Sequence, residues 1–102
     1  LAQICWVDPG AAHQVMMSGI ASSRVLDLFG SRMVARQFDA GIPVRLYRKD
    51  LQIVLDLAKE SVAKVPGAIL TMDHLLNLAS EGHEDTDLSV IITVLEQSLA
   101  HE

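Results

Sequence analysis

The stretch "VRLYRKDLQIVLDLAKESVA", residues 44–63, decides how this chain is read. Placed on a wheel at about 100° per residue, Leu46, Tyr47, Leu51, Ile53, Val54, Leu55, Leu57, Ala58 and Val62 cover roughly half the circumference. Arg48, Lys49, Gln52, Asp56, Lys59 and Glu60 fill the rest. The spacing predicts a long helix, and so wide an apolar face predicts one covered by several neighbours. Asp50 falls inside the apolar arc, between Leu46, Ile53, Val54 and Leu57, whereas Lys49 sits on the polar side near the boundary. A carboxylate on a buried face needs donors. Asp50 is therefore expected to have donors or to be reached by water; the plain expectation is that it accepts backbone N–H groups from a nearby helix terminus, the other that it belongs to a site. Lys49 by itself reads as a solvated surface lysine.

Working outward, the same periodicity recurs between short caps. Leu1–Trp6 reads as the last turns of a helix, and Asp8-Pro9 as the N-cap and first residue of the next, ending near Gly19. Ser22 or Ser23 caps another helix, for which Gly30 is the expected stop, with two more turns over "SRMVARQF". "FDAGIP", residues 38–43, is a turn. Pro66 and Gly67 are expected to separate the long helix from one over about 68–81. "EGHEDTD", residues 81–87, is an acidic connection, after which Asp87 caps a final helix over Leu88–Ala100. The β-branched "VIITV", residues 90–94, continues into a helical pattern. The expected fold class is all-α, in one compact multi-helix domain spanning residues 1–102.

Composition narrows function by exclusion. The chain has 102 residues, 50% of them apolar but only 4% aromatic, so aliphatic side chains and Met build the core. A net charge of −5 argues against broad nucleic-acid or anionic-membrane binding; Arg45, Arg48 and Lys49 form the one small basic patch. No segment approaches the roughly 18 apolar residues of a membrane span. The lone Cys5 fits a reducing, cytoplasmic compartment. Four histidines, His13, His74, His83 and His101, are scattered without the one-turn spacing of helical metal sites, so no metal is expected. The acidic loop lacks the alternating ligands of a calcium site, and Ser22-Ser23 lacks a nucleophile elbow. No Gly-rich phosphate cradle is present. The residues alone support a helical domain, and the opening "LAQICW" reads as part of something longer.

A family resemblance adds the chemistry. "SGIASSRVLDLFGSRMVARQFDAGIPVRLYRKDLQIVLDLAKESVAKVP" resembles the C-terminal helical domain of the β-hydroxyacid dehydrogenases, which include 3-hydroxyisobutyrate dehydrogenases and tartronate semialdehyde (2-hydroxy-3-oxopropionate) reductases. The likeness rests on a Gly-x-Ala-x-Ser turn at Gly19–Ser23, a Phe-x-x-Gly turn at Phe38–Ile42 and a Lys-Asp-Leu helix at Lys49–Leu51. Pro66 lies seventeen residues after that Lys, and an Asp-x-Ser start to the last helix stands at Asp87–Val90.

The resemblance implies a helical domain of the 6-phosphogluconate dehydrogenase C-terminal type, serving substrate binding and dimerisation in an NAD(P)-dependent oxidoreductase. A dinucleotide-binding domain holding most of the NAD or NADP, and the catalytic Lys, would lie upstream in roughly 180 residues. The substrate would be a small hydroxy acid or semialdehyde, and the assembly a homodimer or higher homo-oligomer. Lys49 would contact the cofactor, Asp50 would support the cleft beside it, and this chain alone would be inactive. Three positions depart from the family pattern: Ala40 for the usual Pro, Ile42 for an aromatic, and Val62 where a Gly commonly ends the long helix. They motivate the alternative of a non-catalytic helical dimerisation or interaction module.

Overall fold

The computed structural model describes residues 1–39 and 41–100, with side chains as far as Leu99. Five α-helices follow in order: α1 (Pro9–Met17), α2 (Arg24–Ala35), α3 (Val44–Glu60), α4 (Pro66–Ser80) and α5 (Ile92–Ala100), the last entered through a 3₁₀ turn over Leu88–Ile91. Among the described residues the only β pairing is an isolated antiparallel bridge between Pro43 and Asp87, so the all-α expectation holds. Helix α1 packs on α2 and α3 on α4, while the 3₁₀ turn sits against α2, α4 and α5. The principal buried cluster, Val44, Leu75, Leu78, Val90 and Val94, joins the first turn of α3 to the middle of α4 and the entry to α5. Phe38, Tyr47, Leu51, Leu88 and Ile91 pack around it.

The caps follow the chemistry of their side chains. Asp8 Oδ2 accepts from the Ala11 N–H at 3.0 Å with Pro9 opening α1. Of the two candidate serines, Ser23 is the cap, its Oγ accepting from the Leu26 N–H at 2.8 Å. Pro66 is not a separator: it is the first residue of α4, where a missing N–H leaves nothing unsatisfied, and Gly67 lies inside that first turn.

Gly30 does not stop a helix. Helix α2 runs through it to Ala35, and the ring of His13 comes within 2.8 Å of where a Cβ on Gly30 would sit. Gly30 is thus the close-approach point of α1 and α2, and His13 Nε2 donates to the Leu26 carbonyl at 2.9 Å beside it.

The ends of α2, α3 and α4 share one closure. In the Schellman motif a left-handed residue follows the helix and two backbone bonds reach back over it. Arg36 (φ 57°) ends α2 this way, with Gln37 N–H donating to the Arg32 carbonyl at 2.9 Å. Val62 (φ 56°) ends α3, with Ala63 N–H donating to the Ala58 carbonyl at 2.8 Å. Gly82 (φ 88°) does the same after α4. Leu1–Trp6 also carries this closure, Trp6 standing at φ 61° and Val7 N–H donating to the Ala2 carbonyl at 2.8 Å. The segment is one closed turn rather than the helix expected there.

Val62 occupies the Gly position of its motif although its Cβ is branched, and it is 90% exposed. A left-handed non-glycine residue costs roughly 1 kcal/mol or more. Val62→Gly is therefore expected to raise stability by about 1 kcal/mol, read as a higher midpoint in urea denaturation, since no packing is lost.

Helix α3 has no side-chain cap, for Pro43 precedes it. The acidic loop supplies the acceptors instead: Val44 N–H donates to the Thr86 carbonyl at 2.9 Å and Arg45 N–H to the Glu84 carbonyl at 3.0 Å. The loop expected to be a solvated connection is therefore docked on the start of α3, although Asp85 within it remains exposed. The expected covering of α3 by several neighbours is found only in its first half, where Val44, Tyr47 and Leu51 meet α4, the 3₁₀ turn and α5, and Tyr47 meets Phe29 of α2. Within this chain α3 packs on α4, burying Val44 and Ala58, and leaves Ile53, Val54 and Leu57 exposed by 60%, 46% and 62%.

Candidate functional site

Lys49 is exposed and lines a groove between α3 and α4 of about 400 Å³. Arg45, Arg48, Gln52, Ile53 and Asp56 line it from α3, and Met72 and Leu76 from α4. The spacing of Arg45, Arg48/Lys49, Gln52 and Asp56 puts them on one helical face. Arg48 Nη2 meets Glu84 at 2.7 Å and Arg45 Nε meets Asp85 at 2.9 Å, so the acidic loop reaches both arginines. Gln52 Nε2 donates to Asp56 Oδ1 at 2.9 Å. Among the described residues Lys49 has no ion-pair partner. The groove can therefore hold and orient an anionic or polar group, with an apolar floor of Ile53, Met72 and Leu76.

Asp50 is exposed: of the two expectations, water reaches it, and the backbone donors of a helix terminus are not what satisfies it. Periodicity shows which face is apolar but not what covers it, and within this chain the part of the arc around Asp50, formed by Leu46, Ile53, Val54 and Leu57, is exposed. A carboxylate in water needs no protein donors. Nor does the structure bring Asp50 and Lys49 together. Asp50 lines a separate slot of about 250 Å³ with Tyr47, Leu51, Val54, Thr71, Leu75, Leu88 and Ile91. The two neighbours in sequence thus open onto different sides of the α3–α4 seam.

The buried carboxylate that the sequence argument called for is Asp87, 2% exposed. Its Oδ1 accepts from Arg32 Nη1 at 2.9 Å and from the Ile42 N–H at 3.0 Å; its Oδ2 accepts from the Ser89 N–H at 3.0 Å and from the Ser89 hydroxyl. The expected cap of the last helix is confirmed on the 3₁₀ turn that opens it. Its second role, tying α2 and the 38–43 turn to that cap, depends on Arg32, which is 55 residues away. Since Ile42 contributes through its backbone, the change from an aromatic at this position leaves that tie intact. Of the other positions singled out, Ala40 and His101 lie outside the described residues.

Comparison with known proteins settles the lineage. Residues 1–95 match the family model described as "NAD-binding of NADP-dependent 3-hydroxyisobutyrate dehydrogenase". The chain belongs to this family. It is 33% identical over 95 residues to a 2-hydroxy-3-oxopropionate reductase of Escherichia coli, an alignment covering 93% of this chain and 32% of that protein. It is 31% identical over 84 residues to a probable mitochondrial 3-hydroxyisobutyrate dehydrogenase-like protein of Arabidopsis thaliana, covering 82% of this chain and 25% of that one.

A crystal structure of a 3-hydroxyisobutyrate dehydrogenase from Salmonella typhimurium superposes with a TM-score of 0.86 at 19% identity, over 91% of this chain and 33% of that chain, and so shares its fold. The chain spans about a third or less of the length of these relatives. The all-helical family domain read from the sequence is thereby confirmed. No helix among the described residues is long and apolar enough to cross a membrane.

Proposed function

We propose that this chain is the C-terminal helical domain of an NAD(P)-dependent oxidoreductase that transfers hydride between nicotinamide and a small hydroxy acid or semialdehyde, of the tartronate semialdehyde or 3-hydroxyisobutyrate type. The family match over residues 1–95 carries the reading. The names of the matched relatives supply the substrate type. In this reading residues 1–102 form the substrate and dimerisation domain, and a dinucleotide-binding domain with the catalytic Lys precedes it. The lone Cys5 supports a cytoplasmic enzyme.

The residues present fit the cofactor at one point. Lys49 is an unpaired, exposed cation on a rigid helix, which suits a polar or anionic part of NAD(P). When bound, the nicotinamide supplies or accepts the hydride. This chain's share is to orient it through Lys49 and to cover it. Asp50, on the other flank of the helix, supports the cleft from the slot it shares with Tyr47 and Thr71. The exposed face of Ile53, Val54 and Leu57 supports a further body packing here, whether the preceding domain or a second copy in a homo-oligomer.

Lys49→Ala in the full-length protein tests the proposal. The KM for NAD(P)H should rise about tenfold to a hundredfold, the loss of one charge-assisted contact, with the melting temperature unchanged because Lys49 makes no ion pair among the described residues. Unchanged cofactor binding and turnover would favour the non-catalytic module.

A further inference from the structure

We infer that Arg48, seconded by Lys49, forms an oxyanion-binding subsite at the N-terminal end of the α3–α4 groove, taking one carboxylate or phosphate group. The inference shares the groove of the proposed cofactor contact but does not depend on hydride transfer.

Four observations carry it. Eight Lys and Arg residues serve the whole chain, yet Arg45, Arg48 and Lys49 fall within five positions and line one groove. Arg48 Nε is buried without a hydrogen-bond partner among the described residues, an unmet donor in a group that is always charged. Nη2 of the same guanidinium is held by a single contact to Glu84 Oε1 at 2.7 Å. Among the described residues Lys49 has no ion pair.

The chemistry of the guanidinium connects these points. Nε and Nη2 lie on one edge, and that edge matches two oxygens of a carboxylate or phosphate in parallel hydrogen bonds. Glu84 uses only half of it. An incoming oxyanion takes the place of Glu84, engages both donors and receives the Lys49 ammonium as a second positive charge. Asp56 lines the other end of the groove, two turns along α3, where it pairs with no cation among the described residues, so the positive charge that can hold an anion lies at the Arg48 end, against the competition of Glu84 and Asp85. The floor of Ile53, Met72 and Leu76 suits a ligand whose oxyanion is attached to a short apolar body. Such an oxyanion can come from the carboxylate of a hydroxy acid or from a cofactor phosphate.

The test is calorimetric titration of the full-length protein with sodium lactate and, separately, with inorganic phosphate, at low ionic strength. Glu84→Gln removes the competing carboxylate and should strengthen binding several-fold, whereas Arg48→Met should weaken it about tenfold. Opposite signs from two partners of one ion pair are not what a merely structural bridge would give, since breaking it from either side would act alike. Preference for lactate assigns the site to a substrate carboxylate, and preference for phosphate assigns it to the cofactor.

The inference is overturned if neither anion binds wild type or Glu84→Gln, or if Glu84→Gln binds no tighter than wild type. Should Arg48→Met melt early, Arg48→Lys, which keeps the charge and loses the edge, must weaken binding comparably. A protein that binds no NAD(P)H but still shows these opposite shifts would remove the oxidoreductase reading and leave the subsite standing.

Discussion

Asp87→Ala should cost about 3–5 kcal/mol of folding stability, the loss expected when one partner of a buried charged network is removed. The side chain of Asp87 is fully buried, and the truncation leaves four donors without their acceptor: the Arg32 guanidinium, the Ile42 N–H, the Ser89 N–H and the Ser89 hydroxyl, of which the hydroxyl can still turn to the Gln37 carbonyl. Arg32 itself is 24% exposed and regains water readily, so the two backbone N–H groups carry most of the penalty. Against a total stability typically of about 5–15 kcal/mol, this is enough to leave the domain marginal.

Asp87→Asn separates charge from shape. It keeps one acceptor oxygen but turns an amide N–H₂ toward a donor, so an intermediate loss of about 1–3 kcal/mol is expected. Urea denaturation with both variants checks the ordering. Equal stability of Asp87→Ala and wild type would show that the network has no energetic role.

How much of this could be read from the sequence follows the range of the interactions. Caps act within three residues, and Asp8 and Asp87 were legible from their identity and from the pattern that follows them, Ser23 only as one of the pair Ser22-Ser23. So was Pro66 in principle: the rule that places Pro9 at the start of α1 applies to it equally, but the Gly beside it suggested a break. The left-handed end of α3 was legible at Val62 only through the family pattern, since nothing about a Val announces φ 56°.

Contacts made across the fold were not legible. Gly30 reads as a helix stop unless one knows that His13 packs onto it. Asp50 reads as buried because periodicity reports which face is apolar, not which bodies are present to cover it. The requirement for a buried, multiply bonded carboxylate was correct physics attached to the wrong residue. Asp87 met it through Arg32, a pairing created by the docking of the acidic loop between α2 and α3.

Gly41→Ala should destabilise by about 3 kcal/mol, for two separable reasons. Gly41 stands at φ 121°, where any Cβ is strained, a cost of about 1–2 kcal/mol. A Cβ there would also overlap Asp87 Oδ1 and Arg32 Nη1, so the ion pair must shift to admit it. Once the Asp87 side chain is gone its own overlap is removed and Arg32, no longer held in the ion pair, can swing clear, whereas the backbone term stays. In a double-mutant cycle with Asp87→Ala, the pair should therefore lose about 1–2 kcal/mol less than the sum of the singles. Strict additivity would mean that Gly41 is required for its backbone alone. The expected coupling means instead that the turn before α3 needs a glycine because the Arg32–Asp87 pair occupies the space of its side chain, which explains how the turn, the acidic loop and the groove-bearing helix are held in one geometry.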